Sequence, residues 1–419
     1  VLSRIMIVGG AMRDQLLHVT CPTRLMRVTM FACAIWCACS SSLSHGRDGG
    51  AQDYPLSTTT SMVTSSNSMS SAGVVPKPLR NVTAPRSNDT HGITAIGLFH
   101  VFKKPPWGGG NQFLIALVKE FRRRKIRVVE NEIVNDVRLY MANAVTFQVN
   151  AFRKAMGRSN QTLKLVHRLD GPYYSARYNR DPHIDAGKPW RAREDEQVYR
   201  INGELACASI FQSQWSYDMN IMLGYKPRGI LRIVNNAVDE DIFHPRGRIP
   251  WGNKNDSKNL YKVRLMASSW SSGQRKGFQT FKWMDDHLDW TKFEFTFSGS
   301  LPKGVTFKHI TALPPVSSEK LASILRAHHV FIAASHLEPC SNALVEALAS
   351  GMPALFQSGS GHAELVKRGG LSYDDPEEIP DLLDQLIENY EEFQRNIRVT
   401  SISDAAEMYL EVYAKCLAH

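Results

Sequence analysis

The apolar pattern is clearest between residues 330 and 356. Val330 to Ala334 is an unbroken apolar run, the pattern of a buried strand. A short loop with Glu338 and Pro339 follows, and Ser341-Asn342 stands before an Ala/Leu-rich stretch as helix-capping residues do. Gly351 ends that helix and 352–356 reads as the next strand, so the segment predicts a βαβ unit of a parallel sheet. The same alternation extends both ways. Upstream, strands are predicted at 93–101, 126–129, 164–168 and 208–212, with helices at 112–124, 198–207 and 215–223. Downstream come strands at 263–268 and 293–297, a loop at 313–316, and helices at 278–287, 318–327, 376–393 and 404–417. Residues 173–197 read as a polar, irregular flap, and 246–259 as a polar linker. The alternation predicts an α/β chain with two domains, at 92–245 and 246–400, and a last helix at 401–419.

Residues 1–91 lack this pattern. Arg24 and Arg27 precede an apolar run at 28–39, followed by small residues, which fits a signal peptide or short signal anchor. The run is shorter than the roughly 20 residues a membrane span needs. Residues 40–91 are rich in Ser, Thr, Gly and Pro, as in a disordered stem. The sequence begins at Val1. A start at Met26 strengthens the signal reading and a secretory or Golgi-type membrane location; a start upstream leaves the leader as a gene-model artefact and the chain cytoplasmic. Sequons at Asn81, Asn88, Asn160 and Asn255 matter only in the secretory lumen. Cys21, Cys33, Cys37 and Cys39 lie in the leader, and the remaining three of the seven cysteines, Cys207, Cys340 and Cys416, are scattered, so no disulfide framework is implied.

Formal net charge is +10, with one cluster at Arg122-Arg-Arg-Lys125. That cluster reads as a solvated helix end, or more sharply as a contact for an anionic membrane or acidic acceptor. Zinc-finger, RNA-recognition and helix-turn-helix signatures are missing, which argues against a nucleic-acid partner. Asp239-Glu-Asp241 has the Asp-x-Asp form used to hold Mn²⁺, but no metal site is expected here.

Two carboxylates carry the candidate chemistry. Glu338 stands at the carboxyl end of a strand, where open α/β sheets bind ligands, and Glu346 follows near the middle of the helix. The helix-start amides between them, opened by Ser341 and Asn342, offer an anion site. Acids for hydroxyls and amides for a diphosphate suit a sugar nucleotide. Upstream, Gly109 and Gly110 in the loop at 103–111 would let backbone approach a phosphate.

Glu338-Pro-Cys-Ser-Asn-Ala-Leu-Val-Glu346, with Gly351-Met-Pro353 after it, resembles the signature of the retaining glycosyltransferases of family 4, the glycosyl transferases group 1. The resemblance covers roughly 93 to the end and is strongest over 268–365. It implies the GT-B fold, two Rossmann-like domains facing across a cleft, with the 233–245 segment crossing between them and the last helix crossing back. It also implies transfer of a hexosyl-type group from a UDP- or GDP-sugar with retention, without metal or other cofactor, to a glycan, lipid or protein acceptor. In the resembling pattern Lys276, before Gly277, holds the diphosphate; Trp270 stands where an Arg is usual, and Arg275 would supply the second cation. Asp170 takes a place often held by His, with His167 three residues before it. The expected catalytic residues are Glu338, Asp170 and Lys276. The expected donor-binding residues are Arg275, Lys276, Glu338, Ser341, Asn342, Glu346, Gly109 and Gly110. Two other readings stay open, a nucleotide-sugar 2-epimerase-like isomerase and an inactive carbohydrate-binding GT-B protein, the latter on the strength of Trp270 and Asp170.

Overall fold

The computed structural model describes residues 90–104, 109–143, 147–158, 162–173, 190–252 and 262–418. The leader up to residue 89, the flap over 174–189 and all four sequons lie outside them.

Two six-stranded sheets, both wholly parallel, form the framework. The first is built from β1 (Ala95–Phe99), α1 (Gly109–Arg123), β2 (Arg127–Glu130), β3 (Leu139–Asn143), α2 (Val149–Arg158), β4 (Lys164–Leu169), α3 (Trp190–Leu205), β5 (Ala206–Phe211), α4 (Gln214–Met222) and β6 (Ile230–Ile233). Its strand order is β2-β1-β3-β4-β5-β6. The second holds β7 (Val263–Ser269), α5 (Phe278–His287), β8 (Phe293–Gly299), β9 (Thr311–Leu313), α6 (Ser318–Arg326), β10 (Val330–Ala333), α7 (Asn342–Ala349), β11 (Ala354–Gln357), α8 (His362–Val366), β12 (Gly370–Tyr373), α9 (Ile379–Glu388) and α10 (Tyr390–Arg395). Its order is β12-β11-β10-β7-β8-β9. Strand order reverses between β1 and β3 and between β7 and β10, and the crevice at such a reversal is where α/β sheets take ligands.

The central βαβ unit forms as its pattern predicts. Phe331, Ile332 and their neighbours in β10 are buried, as a strand covered on both faces requires. Ser341 caps α7, its hydroxyl accepting the Leu344 amide at 3.4 Å. Gly351 adopts φ +81 at the helix exit, a conformation glycine takes without strain. Elsewhere the sequence reading needs correction. Strands β3, β6, β9 and β12 and helix α2 were not anticipated. β12, Gly-Leu-Ser-Tyr, has little strand propensity of its own and is held by its register with β11. Residues 190–197 are helical rather than irregular, and the helix predicted over 376–393 breaks at Asn389. Part of the predicted linker packs on the core of the second domain: Trp251 stacks on Tyr390 of α10 with centroids 3.9 Å apart.

The last helix, α11 (Ile402–Ala418), returns to the first domain. Its buried Tyr409, Leu410 and Tyr413 join the core formed by Phe113, Leu117 and Phe121 of α1. Arg124, buried at the end of α1, bridges Glu120 at 2.8 Å and Glu407 of α11 at 2.5 Å. Arg122 pairs with Glu130 and Arg123 with Glu120, each at 2.7 Å. The basic cluster is therefore largely occupied by intramolecular pairs, and its buried member fastens one helix to another. Cys207 of β5 and Cys416 of α11 form a disulfide with Cα atoms 5.8 Å apart, a pairing across 209 residues that their spacing did not disclose. Among the described residues no helix is long and apolar enough to cross a membrane.

Candidate active site in the cleft between the sheets

A cavity of about 520 Å³ opens between the carboxyl ends of the two sheets. Lys276, Glu338, Ser341, Asn342 and Glu346 line it from the second domain; Gly110, Asn143 and Asp170 line it from the first.

On the second-domain side, β10 ends in a loop that includes Leu337 at φ +53, a left-handed conformation that costs a branched residue of order 1–3 kcal/mol. The next residue is Glu338. Lys276 reaches it from the loop after β7, Nζ donating to Oε2 at 2.6 Å. Gly277 makes that approach practicable. Its φ is +74, and a Cβ there would lie 2.1 Å from the Ala334 carbonyl oxygen, so no other residue fits without moving backbone. Burial alone would raise the Glu338 carboxyl pKa, but Lys276, helped by Arg275, holds it below the ordinary value, so the group is a carboxylate at neutral pH.

Glu346 is a different acid. It projects from the buried face of α7, is 7% exposed and lines the cavity. Among the described residues its carboxyl has no hydrogen-bond partner, and burial pushes its pKa up to about 8. A buried carboxyl facing an open cavity is suited to meet ligand hydroxyls, as donor or acceptor.

Asp170 stands across the cleft, at the end of β4, followed by a cis Gly171–Pro172 peptide. Its carboxylate accepts from Arg168 and Asn143, and from Gln212 Nε2 at 2.7 Å. Arg168 is wholly buried; its Nη2 donates to Asn236 Oδ1 at 2.7 Å, and Asn236 Nδ2 donates to Gln212 Oε1 at 2.9 Å. The network fixes Asp170 while leaving its side chain 27% exposed toward the cavity. Arg168, Asn143, Gln212 and Asn236 were missed by sequence reasoning. Asn143, Arg168 and Gln212 stand at strand ends and Asn236 lies just beyond β6, and only the pairing of β3, β4, β5 and β6 brings them together.

Several expected site residues sit differently. Arg275 is held by the facing domain, its Nη2 donating to the Tyr173 carbonyl at 2.7 Å, and burial lowers its pKa to about 10. Gly109 and Gly110 open helix α1 instead of forming a loop, and a Cβ at Gly110 would meet nothing within 4 Å. His167 points into the core, where Asn202 Nδ2 donates to its Nδ1 at 3.2 Å. Trp270 lines the cavity and is 46% exposed. Asp239 and Asp241 each accept from Lys119 at 2.7 Å.

Behind Glu338, His362 is buried and its pKa is lowered to about 4, so the ring is neutral. Its Nδ1 lies 3.2 Å from the Gln357 carbonyl, which can only accept; Nδ1 therefore carries the proton and Nε2 accepts from the Ser335 hydroxyl at 3.2 Å.

Residues 306–401 match the family described as glycosyl transferases group 1. A search of curated proteins returned no match. Among solved structures the chain is similar to the catalytic domain of starch synthase IV from Arabidopsis thaliana, bound to ADP and acarbose; identity is 11%, coverage 78% of this chain and 100% of that one, and the TM-score 0.56. Similarity extends to sucrose-phosphate synthase from Thermosynechococcus elongatus, at 13% identity, coverage of 76% and 95%, and TM-score 0.52. It extends also to the Anabaena protein HepE in complex with UDP, at 14% identity, coverage of 78% and 97%, and TM-score 0.50. Likeness at such identities speaks for the fold. The chain has the GT-B fold, and its residues 306–401 match the glycosyl transferases group 1 family.

Proposed function

We propose that the protein transfers a hexosyl-type group from a nucleoside-diphosphate sugar to an acceptor hydroxyl, with retention at the anomeric carbon and without a divalent metal. The reading rests chiefly on one convergence: Lys276, Glu338 and Glu346 from one sheet and Asp170 from the other line a single cavity. The complexes of the Arabidopsis and Anabaena proteins with ADP and UDP support a nucleoside diphosphate as the donor's leaving half.

In this reading the α7 amides and Lys276 receive the diphosphate, and Glu346 receives the ribose hydroxyls. The bond from the anomeric carbon to the diphosphate oxygen breaks, and its electron pair leaves with the phosphate. Lys276 and the helix amides stabilise that charge, which is greatest in the transition state. Glu338, ionised, holds sugar hydroxyls and stabilises the positive charge building on the sugar. The acceptor oxygen then bonds to the anomeric carbon on the face the phosphate left, and its proton passes to the departing phosphate oxygen. Asp170 orients the sugar or the acceptor by accepting a hydroxyl hydrogen.

A thermal-shift screen over UDP-, GDP- and ADP-sugars tests the first half. A cognate donor about 100-fold above its Kd should stabilise the fold by about 2.7 kcal/mol. Incubation with that donor and candidate acceptors, followed by NMR of the new anomeric centre, tests the second. Stabilisation by none of them would overturn the reading. An epimerised sugar formed from donor alone would replace it with isomerisation.

A further inference from the structure

The β11–α8 segment belongs to the second domain, yet through Glu364 of α8 it makes a polar contact with the first. Both carboxylate oxygens of Glu364 are engaged there: Oε2 accepts the Gln214 amide and Oε1 the Trp215 amide, each at 2.7 Å. These are the opening amides of α4, which lack intrahelical acceptors, and a carboxylate there also meets the positive end of the helix.

What α4 does explains why the contact matters. Its N-cap, Ser213, follows Gln212, whose side chain donates to Asp170. In its first turn, the Ser216 hydroxyl donates to the Gly171 carbonyl at 2.6 Å, one residue beyond Asp170. The start of α4 therefore grips the Asp170-Gly171 segment from two sides. The other end of the strap is equally specific. The Gly361 amide donates to the Glu338 carbonyl at 3.0 Å. A Cβ on Gly361 would lie 2.2 Å from the Pro339 carbonyl oxygen and 2.9 Å from Ser213 Oγ, so the loop is pressed against Glu338's loop and the cap of α4 together. From Glu338 the path runs through Gly361 and Glu364 to α4, and from α4 to Asp170.

We infer that Glu364 is a positioning residue. It never reaches the cavity, but it sets Asp170 of one domain in register with Glu338 of the other. The inference rests on the functional reading above. It predicts a particular defect: donor binding, which uses second-domain groups, is spared, whereas the step that needs both faces of the cleft is slowed.

Two substitutions attack the contact from opposite sides. Glu364→Gln leaves one acceptor oxygen and turns an NH₂ toward the other amide. Gln214→Pro deletes one of the donors at the first helical position, where proline is well tolerated, and the extended Ser213 before it suits proline. In the full chain, each should lower kcat at least about tenfold with donor KM and nucleotide Kd within about twofold, since misplacement of about 1 Å costs up to about 100-fold. The losses should combine to less than their product in the double variant, because both substitutions weaken one two-bond contact. Wild-type kcat in either variant, equal loss of nucleotide affinity and kcat, or multiplied losses in the double variant would overturn the assignment. Hydrogen exchange at the Gln214 and Trp215 amides keeps it separable from the functional reading. If the wild type binds nucleotide but transfers nothing, that reading falls; faster exchange of Trp215 in Glu364→Gln would still uphold the contact, and unchanged exchange would remove it.

Discussion

Lys276 and Glu338 form an ion pair 2.6 Å long, although they come from loops that follow two different strands, β7 and β10. Those strands are neighbours at the point where strand order reverses in the second sheet. Both side chains are about a quarter exposed or less, so water screens the pair incompletely. In the proposed reaction a substrate enters by exchange: an anionic group for Lys276, hydroxyls for Glu338.

Lys276→Ala should cut transfer at least roughly tenfold, as removal of a preorganised charge contact does. It should also move the acidic limb of the pH–rate profile to higher pH. Burial raises the Glu338 pKa and Lys276 is the chief group opposing that, so without Lys276 the carboxyl protonates at higher pH. Unchanged kinetics from a folded variant would exclude Lys276 from diphosphate binding.

The two glutamates should separate kinetically. In the proposed reaction Glu346 holds the ribose, whose contacts persist from bound donor to transition state, so Glu346→Gln should mainly raise donor KM. Positive charge builds near Glu338 only as the bond breaks, so Glu338→Gln should lower kcat more than it raises KM. The reverse pattern would exchange their roles.

Glu346 should also make stability depend on pH. Its pKa is raised in the folded chain from 4.5 to about 8. Between those values the folded state binds more protons than the unfolded one, so stability falls as pH rises through the window. A rise of one pH unit inside that window costs up to about 1.4 kcal/mol, and Glu346→Gln should lose this pH dependence. Denaturant unfolding at about pH 5 and about pH 8 would show it: the variant should gain on wild type at the higher pH. A constant difference between the two proteins would place the carboxyl in water.

Dialysis against EDTA should leave transfer largely intact. Asp239 and Asp241, which have the spacing of a metal-binding pair, already share Lys119. Full loss of activity, restored by Mn²⁺, would instead favour a metal held by the Asp-x-Asp pair.

Much of this molecule was readable in one dimension because its signals are local. The apolar run before Glu338, the Ser341 cap and the Gly351 stop report buried strand, helix start and helix end within a few residues, whatever the rest of the chain does. The repeated alternation then leaves parallel sheets as the economical arrangement, and two such sheets are present. Weak elements behaved otherwise. β9 and β12 have three and four residues, and their strand state comes from the partners they pair with, which sequence-local preference does not register.

The site divides along the same line. Glu338 and Glu346 share one βαβ unit, so their spacing already carries their relationship. Asp170 is held by residues 25 to 68 positions distant from Arg168 along the chain, and that assembly depends on strand order. Arg275, adjacent to Lys276 in sequence, looked like a second cation for the cavity; tertiary structure turned it toward the Tyr173 carbonyl instead. Glu364 and Gln214 lie 150 residues apart, and neither is distinctive on its own. A sequence records which groups are available and which neighbours share an element, because local geometry follows from local chemistry. Which charge meets which amide across a cleft is decided only when two sheets pack, since that choice depends on distances between segments that no short pattern encodes.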